Sequence, residues 1–167
     1  MFKRFFVIAI VALFSSAKIS AQELIVIESE NLKCNDSILV FTPQNVNEKT
    51  ATLFLFHGWS GCYKDWSKKH DIQQISNKFN FRIICPDGFY NGWYLNNTDP
   101  GKMQWRTFFW NELYPQMQQK YNLVPEMTFI TGLSMGGHGA MNIFLDDPTK
   151  FKSAGSMSGV LDLQLTP

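Results

Sequence analysis

GLSMGGHG, residues 132–139, is the stretch of sequence that decides the fold. It follows an apolar run at 127–131 that predicts a buried strand, and it precedes the segment 140–145, whose apolar residues fit one face of a helix. A serine inside G-x-S-x-G, between a strand and a helix, is typical of a nucleophile elbow, a sharp turn that presents Ser134 at the top of a sheet. Gly132 and Gly136 supply the small side chains that such a turn requires.

Two other interpretations of this stretch are a glycine-rich turn with an incidental serine and a nucleotide-binding loop. The nucleotide-binding loop is disfavoured, because the stretch contains neither G-x-G-x-x-G nor the lysine of a P-loop. In the elbow interpretation, the backbone N–H groups and the dipole at the start of the following helix stabilise a developing oxyanion.

The chain on either side of the elbow alternates between predicted strands and predicted helices. The strands are predicted at 24–29, 38–42, 52–56, 81–85, 127–131 and 152–157. The first two are predicted to form a hairpin with its turn at Asn35 and Asp36. The others are separated by helical segments, and the run 52–56 is apolar on both faces. This pattern predicts an α/β fold with a mainly parallel sheet and helices on both faces.

Two of the predicted helices carry specific local signals. The segment 71–74 is typical of a capping box, which opens a helix with Ile72, Ile75 and Phe79 facing inward. A second helix is predicted from about 107 to 121, and Pro115 is expected to kink or divide it.

Polar residues follow the carboxyl ends of the central strands, at His57-Gly58, Asp87-Gly88, Ser134 and Ser158-Gly159. Open α/β sheets bind ligands at that edge. The sequence therefore predicts the functional site there, with Ser134 at its centre.

Residues 1–21 are typical of a secretory signal peptide, and residues 22–167 are the predicted domain. Lys3 and Arg4 precede an apolar run at 5–14 that is too short to span a membrane, and cleavage is expected after Ala21. We therefore expect a secreted or periplasmic protein without a stable membrane anchor. A buried first strand or a retained anchor is the alternative. The formal net charge of +1 gives no indication of a nucleic-acid partner.

The three cysteines, Cys34, Cys62 and Cys85, allow at most one internal disulfide. Cys85 lies in an apolar strand and is expected to be a small buried side chain, while a bridge between Cys34 and Cys62 is left open. No metal-ligand spacing such as C-x-x-C is present, so no metal and no cofactor are expected.

Five motifs occur together in an order that is characteristic of one family. They are His57-Gly58-Trp59, Pro86-Asp87-Gly88 with Trp93-Tyr94, Glu112-Leu113-Tyr114-Pro115, the elbow at 132–140, and Ser158-Gly159. In these motifs the chain resembles the esterase D-like esterases, which include S-formylglutathione hydrolases, feruloyl and other carbohydrate esterases, and mycolyltransferases. The resemblance covers nearly all of residues 38–163 and implies the α/β-hydrolase fold.

The resemblance implies a serine esterase that acts on carboxylic esters, with acylated carbohydrate as a candidate substrate. By the same resemblance Ser134 is the nucleophile, and the backbone N–H groups of Met135 and Trp59 form the oxyanion hole. An acyltransferase is the nearest variant of this activity. A non-catalytic binding module with the same fold is the alternative from another class.

Aromatic residues gather between positions 59 and 110, a segment that holds all five tryptophans. This segment is interpreted as a wall around the acyl or sugar part of a substrate, with ordinary packing of loops on the sheet as the alternative. Packing is the preferred interpretation of Trp105 and Trp110. The candidate substrate-binding residues are Trp59, Trp93, Tyr94 and His57.

The chain departs from the family at the catalytic base. The family supplies its triad acid and then its histidine from strands beyond 158–159, whereas this chain has only His57, His70 and His138. None of the three is expected to be the base. We therefore expect this chain to be the N-terminal part of a longer esterase. The chain would then lack the C-terminal strands of the fold and be inactive alone.

Overall fold

The computed structural model describes residues 22–162, so the predicted signal peptide at 1–21 lies outside the described residues. A six-stranded sheet has the strand order β1-β2-β4-β3-β5-β6. The strands are β1 (Gln22–Ser29), β2 (Cys34–Phe41), β3 (Ala51–Phe56), β4 (Phe81–Cys85), β5 (Thr128–Leu133) and β6 (Ser153–Met157). The helices are α1 (Asp65–Lys69), α2 (Ile72–Phe79), α3 (Trp105–Phe108), α4 (Tyr114–Tyr121) and α5 (Met135–Asp146).

Four neighbouring strands, β4, β3, β5 and β6, run parallel. The hairpin of β1 and β2 extends the sheet with antiparallel pairing to β4. Because strand residues alternate between faces, β3 sends Phe54 and Phe56 into a core with α3, α4 and α5, and Leu55 into a second core with α2. The predicted α/β fold, with a mainly parallel sheet and helices on both faces, is confirmed. No helix within residues 22–162 is long and apolar enough to cross a membrane.

The hairpin turn lies at residues 30–33, and the prediction of a turn at Asn35 and Asp36 is wrong. Lys33 takes a positive φ of 62° there, and the Leu32 N–H donates to Ser29 Oγ at 2.9 Å. Asp36 is instead a residue of β2 that pairs with Ile27, and its side chain is buried. The local composition favoured a turn at Asp36. The composition could not show that Asp36 is buried inside a strand, because that burial depends on partners that are distant in sequence.

Helix α2 begins as predicted but buries a different face. The Asp71 side chain accepts the Gln74 N–H at 2.9 Å, which confirms the cap. Ile72 is buried, but Ile75 and Phe79 are 37% and 58% exposed, so their predicted inward orientation is wrong. Ser76 takes the inward position because its hydroxyl donates to the Phe81 carbonyl at 2.7 Å and holds the helix against β4.

The helix predicted at 107–121 contains an irregular segment before Pro115, and its backbone stays helical at both junctions. A π-helical segment, Phe109–Leu113, separates α3 from α4, and the Tyr114 N–H bonds to Phe109 O. Pro115 follows this segment as the second residue of α4. The helical segment begins at Trp105, two residues before the predicted start.

Candidate active site

Ser134 lies between the end of β5 and the first residue of α5. Its backbone has φ 53° and ψ −114°, a conformation that non-glycine residues rarely adopt and that costs about 1–3 kcal/mol. The Ser134 N–H donates to Met157 O at 2.8 Å, so the neighbouring strand β6 helps to hold the turn. The strained turn between strand and helix is the predicted nucleophile elbow, with the serine side chain half-buried at the edge of the sheet.

Glycines let α5 approach the backbone of β3 closely. A methyl group on Gly136 would lie 2.6 Å from the carbonyl oxygens of both Phe56 and His57, which is too close for any side chain. On the facing turn, a methyl group on Gly58 would lie 3.8 Å from Ser134 Cβ. The turn that follows β3 therefore lies directly beside Ser134.

Two backbone donors remain unpaired beside Ser134. Within residues 22–162, neither the Trp59 N–H nor the Met135 N–H has a hydrogen-bond acceptor. Met135 is the first residue of α5, where N–H groups lack intrahelical acceptors and the helix dipole favours negative charge. Trp59 follows Gly58 in the turn beside the elbow. This arrangement suits the predicted oxyanion hole.

His57 is buried at the base of this turn, with 2% of its surface exposed. Its Nδ1 lies 2.8 Å from Gly58 O, and its Nε2 accepts the Gly88 N–H at 2.7 Å. With these partners Nδ1 takes the donor role and Nε2 the acceptor role. Both nitrogens are occupied within the protein, so His57 holds the Gly58 turn and the Gly88 loop together. The prediction of His57 as a substrate-binding residue does not fit this placement.

Tyr94 is also buried, with no exposed surface. Its ring stacks on Phe56 with centroids 4.5 Å apart, and its hydroxyl donates to His57 O at 3.0 Å. Gly139 makes room for it, because a methyl group there would lie 2.6 Å from the Tyr94 ring. Burial raises the pKa of the Tyr94 hydroxyl. As a correction to the sequence prediction, Tyr94 supports the site from the core and does not face substrate.

A buried carboxyl group lies behind His57. Asp36 is fully buried; its Oδ1 accepts the Asp87 N–H at 3.2 Å, and its Oδ2 has no partner. Asp87 in turn accepts the Phe89 N–H at 2.8 Å and lies 3.3 Å from His57 Nε2. Burial raises the pKa of the Asp36 carboxyl well above its usual range, and the nearby Asp87 charge acts in the same direction. Asp36 was not predicted as part of the site, because its polar neighbours Asn35 and Ser37 favoured a turn there.

His138 lies one helical turn after Ser134, and both of its ring nitrogens are occupied. Nδ1 lies 2.7 Å from Val160 O, and Nε2 lies 2.8 Å from the Asn142 amide. This histidine therefore fixes the segment after β6 against α5. His70 is exposed at the end of α1. None of the three histidines is placed as a free base for Ser134.

Two tryptophans remain candidates for substrate contact. Trp59 is 55% exposed, and its ring contacts Tyr90 edge to face at a centroid distance of 5.0 Å. Trp93 is half-buried and contacts His138 edge to face at 5.7 Å. It also lines a cleft of about 440 Å³ together with Asn91 and Met103.

Trp105 and Trp110 have packing roles, as preferred from the sequence. Trp105 is fully buried and donates its indole N–H to Asp87 O at 2.9 Å. Trp110 packs against the core and donates to Asp146 Oδ2 at 3.2 Å.

All three cysteines are free, and Cys85 is buried as expected. Burial raises the pKa of its thiol. No cluster of three or more histidine, cysteine or acidic side chains within residues 22–162 could hold a metal ion.

Comparisons with known proteins place these features in context. A sequence model of the family described as "Putative esterase" matches residues 29–167. The chain is 32% identical over 125 residues to an acetyl esterase of Caldicellulosiruptor saccharolyticus, which covers 68% of this chain and 46% of that protein. It is 28% identical over 153 residues to the S-formylglutathione hydrolase of Mus musculus, which covers 79% of this chain and 54% of that one.

Among solved structures, the fold is similar to that of the fluorophosphonate-binding serine hydrolase F of Staphylococcus aureus. The TM-score is 0.75 at 24% identity, over 86% of this chain and 59% of that chain. This likeness shows the α/β-hydrolase fold. The chain spans about half the length of the curated relatives that it matches.

Proposed function

Since the chain belongs to the putative esterase family, we propose that it is the nucleophile-bearing part of a serine esterase that cleaves carboxylic esters. One observation carries the proposal: Ser134 takes a strained φ of 53° at the start of α5, beside unpaired backbone N–H groups of Trp59 and Met135. A serine held in that way is exposed to substrate and adjacent to donors for negative charge.

The proposed reaction passes through an acyl-enzyme. Ser134 Oγ attacks the carbonyl carbon of the ester, and the carbonyl oxygen becomes an oxyanion that accepts hydrogen bonds from the Trp59 and Met135 N–H groups. The alcohol then leaves with a proton, and water releases the acid from Ser134. Each oxyanion donor lowers the barrier by about 3 kcal/mol.

The base that removes the proton from Ser134 comes, in this proposal, from outside residues 22–162. His57 and His138 both have two occupied ring nitrogens, which supports this assignment. Without a base a serine hydroxyl is a weak nucleophile. The 167-residue chain alone is therefore expected to lack enzyme-like turnover.

For substrate and compartment we propose an exported enzyme that acts on small or carbohydrate esters. The predicted signal peptide at 1–21 supports export, and the exposed Trp59 and the Trp93 cleft offer aromatic surface to a sugar or acyl group. Mass spectrometry of the secreted or periplasmic protein is expected to find Gln22 at the N-terminus. A soluble cytoplasmic product that retains Met1 would overturn export.

Two alternatives differ in their readouts. An acyltransferase would transfer the acyl group to an added alcohol in preference to water. A non-catalytic binding module would bind an ester without modification of Ser134. The covalent state of Ser134 therefore separates the binding module from the esterase, and the acceptor of the acyl group, an added alcohol or water, separates the acyltransferase from it.

The test of the proposal is adduct mapping. The folded chain is incubated with a fluorophosphonate in buffer that contains imidazole as an external base, and modified peptides are identified by mass spectrometry. We expect one adduct, on Ser134, that is absent from Ser134→Ala. Ser158→Ala is the matched control, because Ser158 also has a positive φ, of 51°, at the end of the neighbouring strand. An adduct on another residue, or none, would refute the assignment.

A further inference from the structure

Arg82 is a buried cation at the edge of the sheet opposite Ser134. It is the second residue of β4, pairs in register with Thr52 of β3, and is 8% exposed. Both parallel strands begin at this edge and end at the edge that holds the elbow. No residue of the candidate active site uses this arginine.

The guanidinium has no carboxylate partner. Within residues 22–162 Arg82 makes no ion pair, and its buried Nε has no hydrogen-bond acceptor. Its described contact is with the face of Tyr121, with 4.3 Å from the guanidinium carbon to the ring centroid. Burial lowers the pKa of Arg82, as expected where no anion compensates the charge. A buried charge is costly unless it is paired and hydrogen-bonded.

Arg82 also opens into a polar pocket of about 180 Å³. Thr52, Tyr121, Asn47 and Asn122 line the pocket beside it. The volume is several times the roughly 30 Å³ that one water occupies in the liquid. The pocket therefore has room for a small polyatomic anion, and its walls offer hydrogen-bonding groups.

We propose that Arg82 and Thr52 form the floor of a binding site for a small oxyanion, a carboxylate or a phosphate. The planar guanidinium donates paired N–H groups in a geometry that matches both kinds of anion. Such an anion would bind the guanidinium and neutralise the buried charge.

The other charges around the pocket set its selectivity. Glu48 lines the pocket and opposes an anion. Glu23 and Lys120 compensate each other, since Lys120 Nζ bonds Glu23 Oε1 at 2.6 Å. Glu23 also accepts the Tyr121 hydroxyl at 2.9 Å, which fixes the ring under the guanidinium. Removal of the Glu48 charge is therefore expected to tighten anion binding.

The test compares folding stability in sodium phosphate, sodium acetate and sodium chloride at equal ionic strength, using the 167-residue chain. At a phosphate concentration ten times the dissociation constant, the folding equilibrium is expected to shift by about tenfold relative to chloride. Acetate in place of phosphate separates a carboxylate site from a phosphate site. The Arg82 Nε–H resonance is followed by NMR in the same titrations.

Variants make the result specific to Arg82. Arg82→Gln is expected to abolish the anion-dependent shift in the folding equilibrium. Arg82→Lys keeps the positive charge but not the paired N–H groups of the guanidinium, so it is expected to give a smaller shift. Glu48→Gln is expected to enlarge the shift. Lys49→Gln is the matched control, because Lys49 is exposed beside Glu48 but does not line the pocket. The proposal would be overturned if Lys49→Gln and Arg82→Gln gave the same anion-dependent shift in the folding equilibrium. It would also be overturned if neither anion moved the Arg82 Nε–H resonance.

Discussion

Gly136→Ala tests the packing of the elbow, because two physical effects predict opposite signs. Helix propensity alone predicts that alanine in α5 stabilises the protein by about 1 kcal/mol. The structure predicts the reverse, since the new methyl group would lie 2.6 Å from the carbonyl oxygens of Phe56 and His57. These atoms belong to the end of the central strand β3 and to the turn after it, which cannot shift freely. Overpacking of this kind costs about 1–3 kcal/mol, so we expect a net loss of up to about 2 kcal/mol.

The assay is urea unfolding followed by tryptophan fluorescence. With a slope of about 2 kcal/mol per M, a loss of 2 kcal/mol lowers the urea midpoint by about 1 M. Gly58→Ala is the control on the facing turn, because its nearest new contact is 3.4 Å, to Leu133 O. It is expected to leave the midpoint nearly unchanged. A Gly136→Ala midpoint equal to or above that of the wild type would refute the close contact between α5 and β3.

Three further predictions concern groups that support the site. Asp36→Asn keeps an acceptor for the Asp87 N–H. Because the folded-state pKa of Asp36 is raised above its usual 3.8, ionisation of this carboxyl lowers the stability of the wild type as pH rises above about 4. Urea midpoints should therefore move in favour of the variant as the pH rises from 4 to 8, and a constant difference would contradict this. Tyr94→Phe removes the donor to the buried His57 carbonyl and should cost about 1–3 kcal/mol in urea unfolding, whereas an unchanged midpoint would show that water replaces it. Asp71→Ala removes the cap of α2 and should lower stability by about 1 kcal/mol, and no loss in thermal unfolding would mean that the cap is dispensable.

Features that depend on neighbouring residues in the sequence could be predicted from it. The strand Phe81–Cys85 has the predicted limits, because a short apolar run before a proline leaves little choice. The elbow was predictable because its glycines and Ser134 must occur together in a few residues. The cap of α2 at Asp71 was predictable for the same reason.

Features that depend on distant partners could not be predicted. Tyr94 was predicted as a candidate substrate-binding residue, but it is buried in the space that Gly139 leaves on α5. The role of His57 follows from the Gly88 N–H, which comes from another strand end. Ser76 faces inward on α2, where Ile75 and Phe79 were predicted, because its hydroxyl donates to the Phe81 carbonyl. In each case a single tertiary contact outweighed the local pattern.

The central claim is that Ser134 is a nucleophile whose base lies outside residues 22–162. The most direct test is to measure hydrolysis of p-nitrophenyl acetate by the folded 167-residue chain, with and without imidazole. Without imidazole, the wild type and Ser134→Ala are expected to give the same rate, because any residual acceleration by the oxyanion hole, about 10³–10⁴ over water in enzymes that have lost their triad, does not require the Ser134 hydroxyl. With imidazole, the wild type is expected to exceed Ser134→Ala measured at the same imidazole concentration. Robust turnover without imidazole that disappears in Ser134→Ala would contradict the claim and would require His57 or His138 to act as the base.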